Sequence, residues 1–116
     1  MKYRLGFVTN SSSTSFIIAI KGGRENLKNL FPNSTDESPL IVLINALLDN
    51  SSGYGETTGV DLLDQEDFDR YASDFTGIDS SFKMYWKNAD YNDSTANDLL
   101  MTLPKLSSDI KVTRCD

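Results

Sequence analysis

The chain has 116 residues, 39% of them hydrophobic, and carries 17 acidic against 11 basic side chains, for a net charge of −6. This length suits one domain, and the apolar and aromatic content excludes wholesale disorder. No apolar run approaches the roughly 20 residues of a membrane span, and the single Cys115 excludes an internal disulfide. We therefore expect one domain in a reducing compartment, the cytoplasm, without membrane contact.

The charge is distributed unevenly along the chain. Residues 1–30 carry five basic side chains against one acid, residues 31–80 carry eleven acids against one arginine, and residues 81–116 balance at five against five. An acidic middle disfavours direct binding to nucleic acid, because lysine and arginine must neutralise the phosphates. It favours a protein partner with a basic surface, although acids in this number also serve ordinary solubility.

The first predicted elements are two strands over residues 2–8 and 14–21, joined as a hairpin. The second strand is apolar on both faces, which is typical of the centre of a sheet. The hydroxyl-rich tract of residues 9–15 is interpreted as the hairpin loop, with a phosphoacceptor loop as the alternative. Gly22 and Gly23 end the second strand, and a short helix is expected over residues 24–30, before Pro32.

The clearest helix is predicted over residues 39–49, with Ser38 as N-cap and Pro39 in the first helical position. Apolar residues recur there at helical spacing, at Leu40, Leu43, Ile44, Leu47 and Leu48. Because Ile41 and Val42 broaden this face, we expect the helix to be nearly buried. The glycine-containing segment 51–59 is expected to be a loop.

A third helix is predicted over residues 65–75, capped by Asp64. Its apolar stripe is Phe68, Tyr71, Ala72 and Phe75, which leaves Glu66, Asp67, Asp69, Arg70, Ser73 and Asp74 mostly outside. Residues 81–87 alternate as a half-exposed strand, with Phe82, Met84 and Trp86 inward and Lys83, Tyr85 and Lys87 outward.

A last helix is expected to begin after Asp93 or Ser94 as cap and to stop at Pro104, before a terminal strand over residues 109–114. The stripe of this helix is Ala96, Leu99, Leu100 and Leu103. Together these elements predict an α+β fold: a mainly antiparallel sheet of about four strands with three helices packed on one face. The predicted core includes Leu43, Leu47, Phe68, Phe75, Trp86 and Leu100.

Signals for catalysis are weak. The chain has no histidine, which removes Ser-His and Cys-His triads and imidazole metal sites. Residues 90–94 match the first three ligand positions of a calcium loop, but Thr95 stands where glycine is needed and Met101 where the bidentate acid is needed. We therefore expect a protein that is not an enzyme and needs no cofactor or metal.

The residues from Arg4 to Ile18 read Arg-Leu-Gly-Phe-Val-Thr-Asn-Ser-Ser-Ser-Thr-Ser-Phe-Ile-Ile. This block resembles an N-terminal signature of small bacterial and phage proteins to which no activity is attached. In size and charge the chain also resembles the anti-CRISPR and nucleic-acid-mimic inhibitors of phages. The resemblance implies an inhibitor of a nucleic-acid-binding enzyme that occupies its basic groove.

The function predicted first is therefore a non-catalytic acidic interaction protein whose partner carries a basic, nucleic-acid-binding surface. The expected contact residues are the acids Glu56, Asp61, Asp64, Glu66, Asp67, Asp69, Asp74 and Asp79. The alternative is an oligomeric regulatory or assembly module of a mobile element, in which the acids only maintain solubility. A carboxylate-metal enzyme comes third, because Asp61, Asp64, Glu66 and Asp67 could gather a hard cation.

Overall fold

The computed structural model describes residues 13–49, 61–90 and 94–115. In these residues the elements follow one another as β1 (Ser13–Lys21), a 3-10 helix (Arg24–Leu30), α1 (Pro39–Asp49), β2 (Asp61–Leu62), α2 (Gln65–Ala72), β3 (Phe82–Asp90), α3 (Ser94–Leu106) and β4 (Ile110–Cys115). The α+β class predicted from the sequence is confirmed.

Strand β1 lies in the centre of an antiparallel sheet with the order β2-β3-β1-β4. Strand β3 pairs with the whole of β1, from Ser13 opposite Asp90 to Lys21 opposite Phe82. Strand β4 pairs with the other edge of β1 over residues 15–20. The central position predicted for this strand is therefore confirmed, and the sheet consists of three long strands plus the two-residue β2 at the outer edge of β3.

The first strand of the predicted hairpin, residues 2–8, lies outside the described residues. The described partners of β1 are β3 and β4, which occupy both of its edges over residues 15–20. The short β2 was not predicted at all, because two residues show no periodicity. The predicted loop over residues 51–59 lies outside the described part of the chain.

The two faces of the sheet carry separate apolar layers. One layer contains Phe16, Ile18, Ile20, Tyr85 and Ile110 of the sheet, and it packs against the 3-10 helix, α1 and α3 through Leu27, Ile41, Ile44, Leu48, Leu100 and Leu103. The other layer contains Ile17, Ala19, Phe82, Met84 and Trp86, and it packs against α2 and the chain after it through Phe68, Tyr71, Ala72, Phe75 and Ile78. The prediction of helices on one face was therefore wrong, since α2 covers the second face.

Helix α1 has the predicted bounds but not the predicted buried face. Its buried residues are Ile41, Ile44 and Leu48, whereas Leu43 is 66% exposed. Eight of its eleven residues are apolar, so the sequence contains no polar face that would mark the side in contact with solvent. The expectation of a nearly buried helix was wrong, and Leu47 is only partly buried against the core.

Strand β3 is buried on both faces near its centre. Tyr85 is 6% exposed and Lys87 is 1% exposed, although their alternation with Met84 and Trp86 predicted that they would point to solvent. The reason is that the face carrying Tyr85 is covered by the 3-10 helix and α1, as the hydrogen bonds described below show.

The ends of two helices also differ from the prediction. Helix α2 ends at Ala72, three residues earlier than expected, and Phe68 and Phe75 are only partly buried. Helix α3 continues through Pro104 to Leu106. Ala96, Leu100 and Leu103 face the core, but Leu99 is 48% exposed. The predicted burial of Trp86 and Leu100 is confirmed.

Candidate functional site

The start of α2 presents three exposed acids, which we call the α2 acidic surface: Asp64, Glu66 and Asp69. Glu66 and Asp69 are three positions apart in the helix and therefore lie on one face. The amide of Gln65 donates a hydrogen bond of 2.8 Å to Asp69 Oδ1. The exposed Arg70 follows directly and offsets part of this charge.

Asp64 caps the N-terminus of α2 and also contributes negative charge to this surface. Its carboxylate accepts a hydrogen bond of 2.9 Å from the backbone N–H of Asp67, and its carbonyl accepts one from Phe68 N–H. The predicted N-cap is thus confirmed. A side-chain cap of this kind satisfies one of the first four helical N–H groups, which have no partner within the helix.

Asp67 does not belong to the exposed surface. It is 1% exposed, and it lies on the same side of α2 as Tyr71, four positions later, which packs against the second apolar layer. We predicted Asp67 as an outward contact residue, and that prediction was wrong. A partner cannot reach this carboxylate while α2 remains packed on the sheet.

The two later acids lie beyond α2 and are less concentrated. Asp74 is exposed in the turn after the helix. Asp79 accepts hydrogen bonds from the backbone N–H and the hydroxyl of Ser81, which lower the pKa of its carboxyl, and the nearby Lys21 lowers it further. Glu56 and the side chain of Asp61 lie outside the described residues. Of the eight predicted acids, five are exposed within the described part of the chain, Asp67 is buried, and the side chains of the other two lie outside that part.

A cleft of about 240 Å³ lies beside the α2 acidic surface, where the edge of the sheet meets the start of α2. Its apolar wall is formed by Leu62, Leu63, Phe68, Phe82 and Met84, and its polar rim by Asp64, Gln65, Ser80 and Lys83. Leu63 N–H donates to the carbonyl of Met84, which fixes the two sides of the cleft to each other. Sequence reasoning missed this cleft because its position depends on β2.

A polar cluster lies on the opposite face of the sheet, at the end of α1. The guanidinium of Arg24 binds both carboxylate oxygens of Asp49, at 2.9 and 3.0 Å, and also donates to the side-chain oxygen of Asn45. The backbone N–H of Arg24 donates to the Tyr85 hydroxyl at 2.8 Å. Gly22 and Gly23, with φ of 77° and 86°, form the turn that brings Arg24 to this position.

The ionisable groups of this cluster are perturbed by one another and by burial. The hydrogen bond from Arg24 lowers the pKa of Asp49 below its usual value. Burial raises the pKa of Tyr85, and burial lowers the pKa of Lys87 to about 8. The guanidinium and the carboxylate of the cluster bind each other, so the cluster ties the 3-10 helix to α1.

The described residues contain no group of three or more acids close enough to hold a metal ion together. The candidate calcium loop lies mostly outside the described residues, since residues 91–93 are not among them. Of the candidate ligands at the start of α2, Asp64 acts as the helix cap and Asp67 is buried. Nor is any helix in the described ranges both long and apolar enough to cross a membrane.

The outer side of α1 is a further exposed surface. Leu40, Val42 and Leu43 are 36%, 50% and 66% exposed, and no charged residue lies in the helix before Asp49. Surface leucines scattered singly are common, but three neighbouring exposed apolar residues on one short helix suggest a contact surface.

Comparisons of the chain with models of protein families, with curated proteins and with solved structures found no match.

Proposed function

We propose that this protein is a non-catalytic interaction protein that binds the basic, nucleic-acid-binding surface of another protein through the α2 acidic surface. A partner of this kind meets exposed carboxylates with lysine and arginine side chains, and the attraction is a sum over many modest contacts. Occupation of such a surface would inhibit the partner by excluding its nucleic acid. The single cysteine fits a reducing compartment, and we propose that the protein acts in the cytoplasm.

The observation that carries this proposal is the group of three exposed acids at the start of α2, two of which have no ion-pair partner. By contrast, Asp36 pairs with Lys28 at 3.1 Å and Asp49 pairs with Arg24 at 2.9 Å. Among the described residues, neither Asp64 nor Asp69 forms an ion pair. Their charge is therefore available to a partner, whereas charge already neutralised within the protein contributes little to binding.

The test uses a charge-reversed variant that leaves the fold intact. The variant carries Glu66→Lys, Asp69→Lys and Asp74→Lys, all at exposed positions; Asp64 and Asp67 are left unchanged, because one caps α2 and the other is buried. The control carries Asp36→Lys, Glu37→Lys and Asp98→Lys, exposed acids away from α2 that produce the same change in net charge. Circular dichroism verifies that both variants are folded.

The tagged parent protein is used to capture its partner from a cell extract at low salt. We expect the captured protein to be released by salt and displaced by a DNA or RNA oligonucleotide, because the binding is electrostatic and competes with phosphate. The reversed α2 variant should capture none of it, and the control variant should capture it as the parent does. If the α2 variant binds as the parent does, the acids serve solubility alone and the proposal is wrong.

The alternative is an oligomeric module, which is favoured by the exposed Leu40, Val42 and Leu43 of α1. Association through such a surface would be apolar and would persist in high salt, unlike binding through acids. Sedimentation velocity of the parent and of a Leu43→Ser variant at low and high salt separates the two functions. A salt-resistant oligomer that Leu43→Ser dissociates would support this second candidate.

A further inference from the structure

The cleft beside α2 differs in size and lining from a small-molecule site. Its volume of about 240 Å³ lies below the range of about 300–1,000 Å³ that is usual for drug-sized ligands. Five of its nine lining residues are apolar, and one of them, Leu62, is 55% exposed although it lines the cleft. A space of this size and chemistry suits one large apolar side chain, as the anchor residues of protein interfaces do.

The charges around the cleft indicate what accompanies that side chain. Asp64 forms part of the rim, and Gln65 in the rim holds Asp69 by a hydrogen bond of 2.8 Å. On the α2 side, one carboxylate therefore lines the cleft, and a second is hydrogen-bonded to a residue that lines it. On the other side, Lys83 Nζ lies 4.0 Å from Glu25 Oε2, so its charge is partly offset. A basic segment would be attracted here, whereas a second copy of this acidic chain would bring further negative charge to the cleft.

We propose that the cleft is an anchor site for one apolar side chain of a basic segment in the partner protein, with flanking lysine or arginine side chains on the α2 acidic surface. This inference rests on the proposed function, and it adds the chemistry of the segment that is recognised. Charge alone would give attraction without register. An apolar anchor fixes which residue of the segment lies at the cleft, because a polar side chain in that position would not bury the apolar part of the wall.

The probe is a pair of synthetic fluorescent peptides, Lys-Lys-Ser-Leu-Ser-Lys-Lys and the same peptide with serine in place of leucine. Fluorescence anisotropy measures their affinity for the parent protein at low salt, and backbone amide shifts in NMR spectra report the binding position. We expect the leucine peptide to bind about tenfold or more tightly than the serine peptide, as burial of one leucine implies. Its shifts should include Leu63, Phe68 and Met84.

Two variants with matched chemistry locate the anchor. Leu62→Gln changes an exposed leucine of the cleft, and Leu43→Gln changes an exposed leucine of α1; neither alters the charge. We expect Leu62→Gln to remove the preference for the leucine peptide and Leu43→Gln to leave it intact. Equal binding of the two peptides, or an equal loss in both variants, would overturn the inference.

The outcomes separate the inference from the proposed function. If both peptides bind equally, and both are lost in the charge-reversed α2 variant, the acidic surface binds cations without an anchor and only the inference fails. If neither peptide binds, the inference also fails, while the capture experiment still decides the function independently. A dimer of the parent that Leu62→Gln dissociates would assign the cleft to a second copy and would also overturn the inference.

Discussion

The side-chain amine of Lys87 in β3 donates a hydrogen bond of 2.9 Å to the backbone carbonyl of Leu48 in the last turn of α1. The last four carbonyls of a helix have no partner within it, and they form the negative end of the helix dipole. The Lys87 amine, on a strand of the sheet that α1 covers, therefore caps the C-terminal end of this helix. Lys87 is 1% exposed, so this contact is made inside the protein.

The burial of the Lys87 amine predicts an unusual dependence of stability on pH. The pKa of Lys87 is lowered from 10.5 to about 8 in the folded protein. Between these values the unfolded chain binds more protons, so the free energy of unfolding rises with pH, by about 3 kcal/mol at most. In Lys87→Met this rise should be absent. Urea denaturation of both proteins at pH 7, 8.5 and 10 measures the difference. Parallel curves would show that the amine is not perturbed.

The buried face of α1 is tested by two leucines of the same helix. Leu48 is 0% exposed and Leu43 is 66% exposed. Leu48→Ala should lower the free energy of unfolding by an amount on the order of 2–5 kcal/mol, because it removes buried surface and leaves a cavity. Leu43→Ala, the matched control, should change it by about 0.5 kcal/mol or less. Chemical denaturation measures both, and the reverse order would mean that the helix packs by its other side.

The cap of α2 predicts a local loss of stability. Asp64→Ala removes the acceptor of the Asp67 N–H, and the loss of such a cap costs about 0.5–2 kcal/mol. Hydrogen exchange of the amides in α2 should become faster in this variant. Asp69→Ala removes an acid of the same surface without removing a cap, and it should leave exchange near the start of α2 almost unchanged. Equal effects would assign the role of Asp64 to its charge alone.

The pair of Arg24 and Asp49 predicts a small effect at acid pH. The folded-state pKa of Asp49 is lowered from 3.8 by the Arg24 hydrogen bond, so its contribution is present above pH 3.8 and is lost as the pH falls through the lower value. The Asp49 side chain is 61% exposed, which limits the contribution to about 1 kcal/mol or less. Asp49→Asn should therefore be less stable than the parent at pH 6, and the difference should shrink as the pH falls below 3.8. Thermal unfolding over a series of falling pH values provides the measurement, and a constant difference would contradict the assignment.

Features determined by a few neighbouring residues could be predicted from the sequence. The two apolar faces of β1 predicted its central position in the sheet, and Asp64 before a helical stripe predicted the start of α2. Both predictions were possible because strand patterning and capping depend on adjacent residues. The chain order of helices and long strands follows for the same reason. These predictions needed no knowledge of what each element contacts.

Features determined by distant contacts could not be predicted. Alternation in β3 indicated that Lys87 faces solvent, but α1 covers that face, and nothing near position 87 in the sequence reports it. Asp67 was assigned to the outside of α2 because it lies off the apolar stripe formed by Phe68, Tyr71, Ala72 and Phe75. The cleft depends on β2, whose two residues are defined only by pairing with Tyr85 and Trp86. The position of the candidate site could therefore be found only in the structure, whereas its acidic character could be predicted from the sequence.

The central position of β1 has a consequence for how the protein folds. Its residues pair with β3 and β4, so that Ser13 lies opposite Asp90 and Ser15 opposite Cys115. Contacts between residues so far apart in sequence slow folding, because a long loop must close before they form. During synthesis, Phe16, Ile17 and Ile18 are made before both partner strands. This apolar strand therefore stays unpaired on at least one edge until β4 has been made, and an unpaired apolar strand is a site where incompletely folded chains aggregate.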